Sequence, residues 1–341
     1  MGSVKDLDIL DEPTSQSLGR ARFRFSDRYS VFDWGEMPDL IEGKGKALAM
    51  MGGYNFELLE ESGVGTHYRG MLTDGDVVKT SDLDSPSEVM EITLAEKPVV
   101  TFENGEYSYS SMEGNRNYLI PLEIVFRNSI PVGSSLRKRY EPGELGFDFK
   151  DWPEEEIDLA RPIVEYSTKL EEKDRYLQDQ EARKISGLSQ EEFNQLGEIA
   201  RKVNEIITER AQDRGFEHLD GKIECVYVEG SIKVADVVGT FDENRFSFKG
   251  FQISKEVLRQ WYIRNDPQWY QEVTDAQKQA RERGVEKWKT LVDAIPKSLD
   301  DKLQGLISDM YRAGANKWLD REVFDVRSLD RIVEDLRQWM K

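Results

Sequence analysis

Residues 222–238 read KIECVYVEGSIKVADVV, and this stretch decides the fold. Apolar residues alternate with polar ones on both sides of Glu229-Gly230. The alternation predicts two strands, Lys222 to Val228 and Ser231 to Val238, paired antiparallel across that turn. Just upstream, Ser189 and Glu192 form a capping box. Phe193, Leu196, Ile199, Ala200, Val203, Ile206 and Ile207 then recur at helical spacing until Gly215, and that stripe reads as core. Further upstream, Ala21 to Phe25 alternates. Lys97 to Phe102 faces Tyr107 to Ser111 across Asn104-Gly105, a strong hairpin signal. One helix interrupts this region, from about Lys46 to Glu61, ending at Gly63. From Ser254 onward the pattern is helical, broken at Pro296, Ser298 and Asp300, with a last helix from about Ser328 to Met340. Hairpins with helices grouped between and after them, rather than alternating strand and helix, make the fold α+β, with antiparallel sheets.

The 341 residues carry 47 Lys plus Arg against 66 Asp plus Glu, a net charge of −19. So acidic a chain is a poor ligand for nucleic acid, whose affinity rests on cations. No apolar run is long enough to span a membrane, and the N-terminus lacks an apolar signal core. A cytoplasmic location is expected. The single cysteine, Cys225, lies in an apolar run and reads as a buried thiol; no intrachain disulfide can form. Two histidines, His67 and His218, with no Cys/His cluster, argue against a zinc site.

The chain has no GxxxxGK[ST], no GxGxxG with a following ribose-binding acid and no GxSxG. Four charged segments remain. After the apolar run Tyr118 to Phe126, predicted as a buried strand, comes a basic loop from Arg127 to Arg139. It includes Gly133, Ser134, Ser135 and Arg137, residues suited to an oxyanion such as phosphate. An acidic surface loop, Glu141 to Asp158, follows. Asp220, Lys222 and Glu224 stand at i, i+2 and i+4, which puts them on one face of a strand. Glu224 and Asp236, on paired strands, are a candidate pair of Mg²⁺ ligands. The third segment runs from Asp236 through Asp242 to Arg245, and the fourth holds Lys169, Asp174, Arg175 and Asp179. Each has a plainer reading as a solvated charged face.

Taken in order, six stretches resemble the SAICAR synthetase family in its archaeal form: Gly2 to Leu7, Ser26 to Asp33, Pro121 to Tyr140, Tyr166 to Asp179, Asp220 to Glu224 and Asp236 to Arg245. The resemblance covers most of the chain to about residue 275. It implies a two-lobed α+β fold related to ATP-grasp enzymes and protein kinases. Residues 1–115 would form a β-rich lobe covering ATP, 116–275 an α+β catalytic lobe, and 276–341 a C-terminal helical extension. It also implies ATP, Mg²⁺, L-aspartate and carboxyaminoimidazole ribonucleotide (CAIR) as ligands, without nucleic acid or membrane. The implied reaction joins CAIR to aspartate in purine biosynthesis through an acyl phosphate. The alternatives are a related amide ligase acting on another carboxylate and a non-catalytic nucleotide-binding protein.

Carried over by position, Arg127, Ser134 or Ser135, and Arg245 would hold the ribonucleotide phosphate, and Asp242 its ribose. Glu224 and Asp236 would hold Mg²⁺. Lys5 and Lys169 would reach the ATP phosphates. Lys222 and Asp220 would lie near the transferring group, with Asp27 and Ser30 near the reaction centre and Asp174 and Asp179 lining the same cleft. Two departures stand out. Ser3 replaces a lysine found in many bacterial members, and one extra residue separates Arg127 from Ser134, so that Ser134 and Ser135 compete for one role. The C-terminal extension either packs against the catalytic lobes, the favoured option, or forms a subunit interface; a homo-oligomer is left open.

Overall fold

The computed structural model describes residues 4–340 except 104, 111, 113, 173, 284 and 286. Gly2, Ser3, Asn104 and Ser111, which carry parts of the expectations above, lie outside the described residues. The first sheet contains β1 (Lys5–Asp11), β2 (Gly19–Phe25), β3 (Tyr68–Thr73), β4 (Asp76–Val78) and β5 (Val89–Leu94), with α1 (Lys44–Glu61) between β2 and β3 in the chain. Its order is β1-β2-β5-β3-β4. Along β2, Ala21, Phe23 and Phe25 are buried while Arg20 and Arg24 face solvent. This two-residue period buries one face of the sheet in the core it shares with α1. A small hairpin follows, β6 (Val100–Glu103) with β7 (Glu106–Tyr109).

The second sheet is built around one long strand. Its members are β8 (Asn117–Leu119), β9 (Leu122–Ile130), β10 (Ile157–Thr168), β11 (Tyr176–Leu177), β12 (Phe216–Val228), β13 (Ser231–Ala235), β14 (Asn244–Phe248) and β15 (Phe251–Ile253). The first half of β12 pairs with β9 and β14, and the second half with β8 and β13. Between β11 and β12 come α2 (Asp179–Ser186) and α3 (Gln190–Asp213). The Ser189–Glu192 capping box starts α3 as the sequence predicts. Its apolar stripe packs under β9, β10 and β12. The helices α4 (Glu256–Asn265), α5 (Pro267–Arg283), α6 (Asp301–Leu319) and α7 (Leu329–Trp339) follow. α6 lies against α1, and α7 against α6. One contiguous set of buried apolar side chains runs from Ala21 to Leu336.

Several boundaries differ from expectation, each for a local reason. The apolar run from Tyr118 breaks at Ile120-Pro121, because proline cannot donate to a ladder, and becomes two strands. Arg127 belongs to β9 rather than to the loop after it. The strand expected to reach Val238 ends at Ala235, where Asp236 adopts φ 63°. No strand is predicted for residues 244–248, yet they pair with β12 as β14. The Glu229-Gly230 turn has φ of 49° and 87°, the double left-handed geometry of a two-residue hairpin.

Candidate active site

Three adjacent strands bring three of the expected site residues together on the second sheet. Asp220 on β12 sits in register with Arg127 on β9 and Arg245 on β14. Arg245 grips the Asp220 carboxylate with Nε, at 2.8 Å, and with Nη2. Arg127 reaches the same carboxylate at 3.5 Å and pairs with Glu165 at 2.6 Å. Its Nη2 donates to the Tyr176 hydroxyl at 2.9 Å. Arg127, Tyr176, Asp220 and Arg245, with Ser134, Ser135, Lys222, Asp174 and Asp242, line a cavity of about 400 Å³. Ser134 caps the short turn 135–138, its Oγ accepting from Leu136 N–H. Ser135 Oγ accepts from Arg139 at 2.9 Å. Lys255 and Arg259, at the start of α4, add two more cations to the wall.

Beside the cavity lies a dense cluster of lysines and carboxylates. Glu123, buried on β9, accepts from Lys169 at 3.1 Å and from Lys222 at 2.5 Å. Lys169 also touches Glu224 at 2.5 Å, and Lys5 pairs with Asp236 at 2.7 Å. Burial works against the Lys169 charge, but Glu224 and Glu123 outweigh it and hold the ammonium above its usual range. Burial likewise opposes ionisation of Asp236, and Lys5 and Lys169 win, holding that carboxyl well below the carboxylate range. Glu224 goes the other way: burial and the adjacent Asp236 push it up to about 7. The Asp236 carbonyl is met by His67 Nε2 at 3.3 Å, a contact from the residue just ahead of β3 to a left-handed backbone unusual for a residue with a Cβ.

The remaining expected residues fall in different places. Asp174 lines the cavity and is pushed up to about 6 by burial and by Glu123. Asp179, expected in the same cleft, instead begins α2 and borders a separate cavity with Tyr166 and Arg201. The two-residue strand β11 lies between them and turns the chain away. Asp27 Oδ1 accepts from Gly45 N–H at 3.0 Å, in the first turn of α1, and Ser30 Oγ accepts from Gly35 N–H at 3.2 Å. Neither lines the cavity, although their neighbour Asp33 acts on the Asp174 carboxyl. Asp242 is held on both oxygens. Buried Lys44 meets Oδ2 at 2.6 Å and Tyr311 donates to Oδ1 at 2.7 Å.

Glu123, Glu165, Tyr176, Lys44 and Tyr311 were not singled out from sequence. Glu123 did carry a signal: it is a lone charge inside an apolar strand run, which demands a buried partner. Lys44 stands between two glycines where a helix begins. Tyr311 offers no local cue.

A cation-lined cavity, set beside paired lysines and buried carboxylates at the meeting of two sheets, defines an enzyme that handles phosphorylated substrates. Comparison with known proteins makes the class a ligase. The SAICAR synthetase family profile matches residues 8–276, and the chain belongs to that family. A provisionally named phosphoribosylaminoimidazole-succinocarboxamide synthase of Archaeoglobus fulgidus is 45% identical, over 99% of each chain. The enzyme of that name from Thermoplasma acidophilum is 30% identical, over 87% of this chain and 93% of its own. A solved SAICAR synthetase in complex with ADP superposes with a TM-score of 0.56 at 25% identity, covering 84% of this chain and 97% of the other. The Saccharomyces cerevisiae SAICAR synthase complexed with SAICAR shares the fold, with a TM-score of 0.63 at 19% identity over 94% of each. The family's enzymes are ligases of purine biosynthesis that form SAICAR from CAIR and aspartate. No described helix is long and apolar enough to cross a membrane.

Proposed function

We propose that this chain condenses CAIR with L-aspartate at the expense of ATP, by way of an acyl phosphate. The observation that carries the reading is the Glu123 bridge. One buried carboxylate ties Lys169, beside Glu224, to Lys222, at the edge of the cation-lined cavity. Phosphate-handling lysines and an anion-binding pocket are thereby held together. Arg127, Ser134, Ser135 and Arg245 would bind the ribonucleotide phosphate, and Asp242 the ribose hydroxyls. Lys5 and Lys169 would bind the ATP phosphates.

The imidazole carboxylate attacks the terminal phosphorus of ATP, and the bond to ADP breaks. The aspartate nitrogen then attacks the acyl carbon, forming C–N as the C–O bond to phosphate breaks. Lys222, beside the bound carboxylate, stabilises negative charge in both steps. Asp174, with its carboxyl pushed up to about 6, is suited to take the proton the amine gives up.

Glu224 and Asp236 fit a divalent cation. Glu224 is buried beside Asp236, and burial with that neighbouring charge pushes its carboxyl up to about 7, although Lys169 meets Oε1 at 2.5 Å; a dication between the two carboxylates would relieve their repulsion. Among the described residues no third acidic, histidine or cysteine side chain joins them, so a Mg²⁺ ion would complete its shell with phosphate oxygens and water. When bound, it would neutralise charge on the transferring phosphoryl group.

The test is ADP release with Mg-ATP, L-aspartate and CAIR, omitting one component at a time. Release that needs both co-substrates supports the reading. Release without CAIR, or with another carboxylate in its place, overturns it.

A further inference from the structure

The family profile stops at residue 276, yet α6, beyond it, touches a side chain that lines the cavity. Tyr311, Gly314, Ala315 and Trp318 recur at i, i+3, i+4 and i+7, so they share one face of the helix. That face packs behind the segment running from Phe241 to Phe246. A Cβ on Gly314 would come within 2.5 Å of the Phe241 ring, so only glycine allows the helix this close. The Trp318 ring lies 5.0 Å from that of Phe246, and its Nε1 donates to Asn55 Oδ1 of α1 at 2.8 Å. Ser308 and Gln304 donate to the carbonyls of Glu42 and Leu40, ahead of α1. Tyr311 is fully buried on this face, its hydroxyl 2.7 Å from Asp242 Oδ1.

Asp242 lines the cavity and has two anchors. Lys44 holds Oδ2 and also donates to the Arg28 carbonyl at 3.2 Å. Tyr311 holds Oδ1, and its ring lies 5.5 Å from the Lys44 ammonium. A carboxylate offers about four lone-pair sites. The two anchors use one on each oxygen and leave one on each for a ligand. Two acceptors side by side, at fixed spacing, match a vicinal diol. Lys44 neutralises the charge but, with three rotatable protons on a flexible stem, does not by itself fix the plane of the carboxylate. The phenol, on a rigid ring locked in the core, fixes the second oxygen.

We propose that Tyr311 is a positioning residue: through its hydrogen bond to Asp242, the C-terminal segment sets the enzyme's discrimination for the ribose hydroxyls of its substrate. This rests on the ribose role given to Asp242 above. Burial and the neighbouring Asp242 carboxylate hold the phenol far above its usual range, so it stays a donor at any working pH.

The test uses the full chain and two probes, CAIR and its 2′-deoxyribose counterpart. In Tyr311→Phe, the KM for CAIR should rise about tenfold, the lower end of the scale for one lost hydrogen bond to a charged group. The KM for ATP and the turnover at saturation should stay within about twofold. For the deoxy probe the rise should be smaller, so the preference for ribose over deoxyribose narrows. A merely structural role would weaken both probes and ATP alike, and that result overturns the proposal. Asp242→Asn is the companion variant. If it leaves the preference unchanged, the ribose role of Asp242 fails, and the proposal with it. If Asp242→Asn erases the preference while Tyr311→Phe leaves it intact, the ribose role stands and the positioning role alone fails. Tyr311→His, which can still donate, should restore part of the preference if the hydrogen bond rather than the packing matters, and no restoration would count against it.

Discussion

At Asp236, backbone and charge act together. A left-handed φ costs a residue with a Cβ about 1 kcal/mol, and the chain accepts it just after Ala235, where β13 ends. The conformation turns the carboxylate toward Lys5, next to Glu224. Asp236→Asn keeps the shape and removes the charge. It should cut turnover at least about a hundredfold and, by unpairing Lys5, lower the melting temperature without unfolding the protein; full activity with Mg-ATP would sink the metal assignment. Arg245→Ala should raise the KM for CAIR about ten- to a hundredfold and leave that for ATP nearly unchanged. The reverse pattern would move Arg245 to the nucleotide. Such residues were legible to different degrees. Asp220, Lys222 and Glu224 announce themselves by strand spacing. Glu123 signals only that it needs a buried partner; which partners those are stays hidden, because its two lysines lie 46 and 99 residues on.

Elements were legible where their signals are local. The capping box of α3 and the Glu229-Gly230 turn need only a few neighbouring residues, and both stand where the sequence puts them. The dual pairing of β12 does not show, because four partner strands from both sides of it in the chain decide it. The same holds for Asp174 and Asp179, which a two-residue strand sends to different cavities. Gly221 shows what such pairing requires. Its missing side chain leaves room for the Asn244 amide, which would lie 2.1 Å from a Cβ there and instead reaches His218 Nε2 at 2.8 Å. The contact between α6 and the 241–246 segment has a parallel requirement at Gly314. Gly314→Ala should destabilise the protein by about 1–3 kcal/mol through overpacking and also raise the KM for CAIR, since Phe241 precedes Asp242. A stability loss with an unchanged KM would separate the helix from the site.

For the whole molecule, protonation in mild acid is set by groups with opposing signs. Burial lowers both His67 and His218 to about 4. The unfolded imidazoles take up protons near pH 6.5 and the folded ones do not, so each histidine costs about 1.4 kcal/mol per pH unit as pH falls from 6.5 toward 4. Glu224, pushed up to about 7, and Asp174, pushed up to about 6, do the reverse. They bind protons in the folded state before the unfolded carboxyls do, and they gain stability over the same range. The urea midpoint should therefore change little between pH 6.5 and 5. The two imidazoles, followed by NMR, should show no titration above about pH 5. An imidazole that titrates near 6.5 would mean that its side chain is not buried as described. The unbroken core from Ala21 to Leu336 also bears on how the protein is made. Every side chain of the lysine and carboxylate cluster precedes residue 246, but the helix that braces Asp242 does not begin until Asp301. On the ribosome, at usual elongation rates, the nascent chain spends seconds with this cluster already made and the brace of Asp242 still to come. During that interval the back of the 241–246 segment is bare, and a chaperone that shields apolar surface has its natural moment to act there.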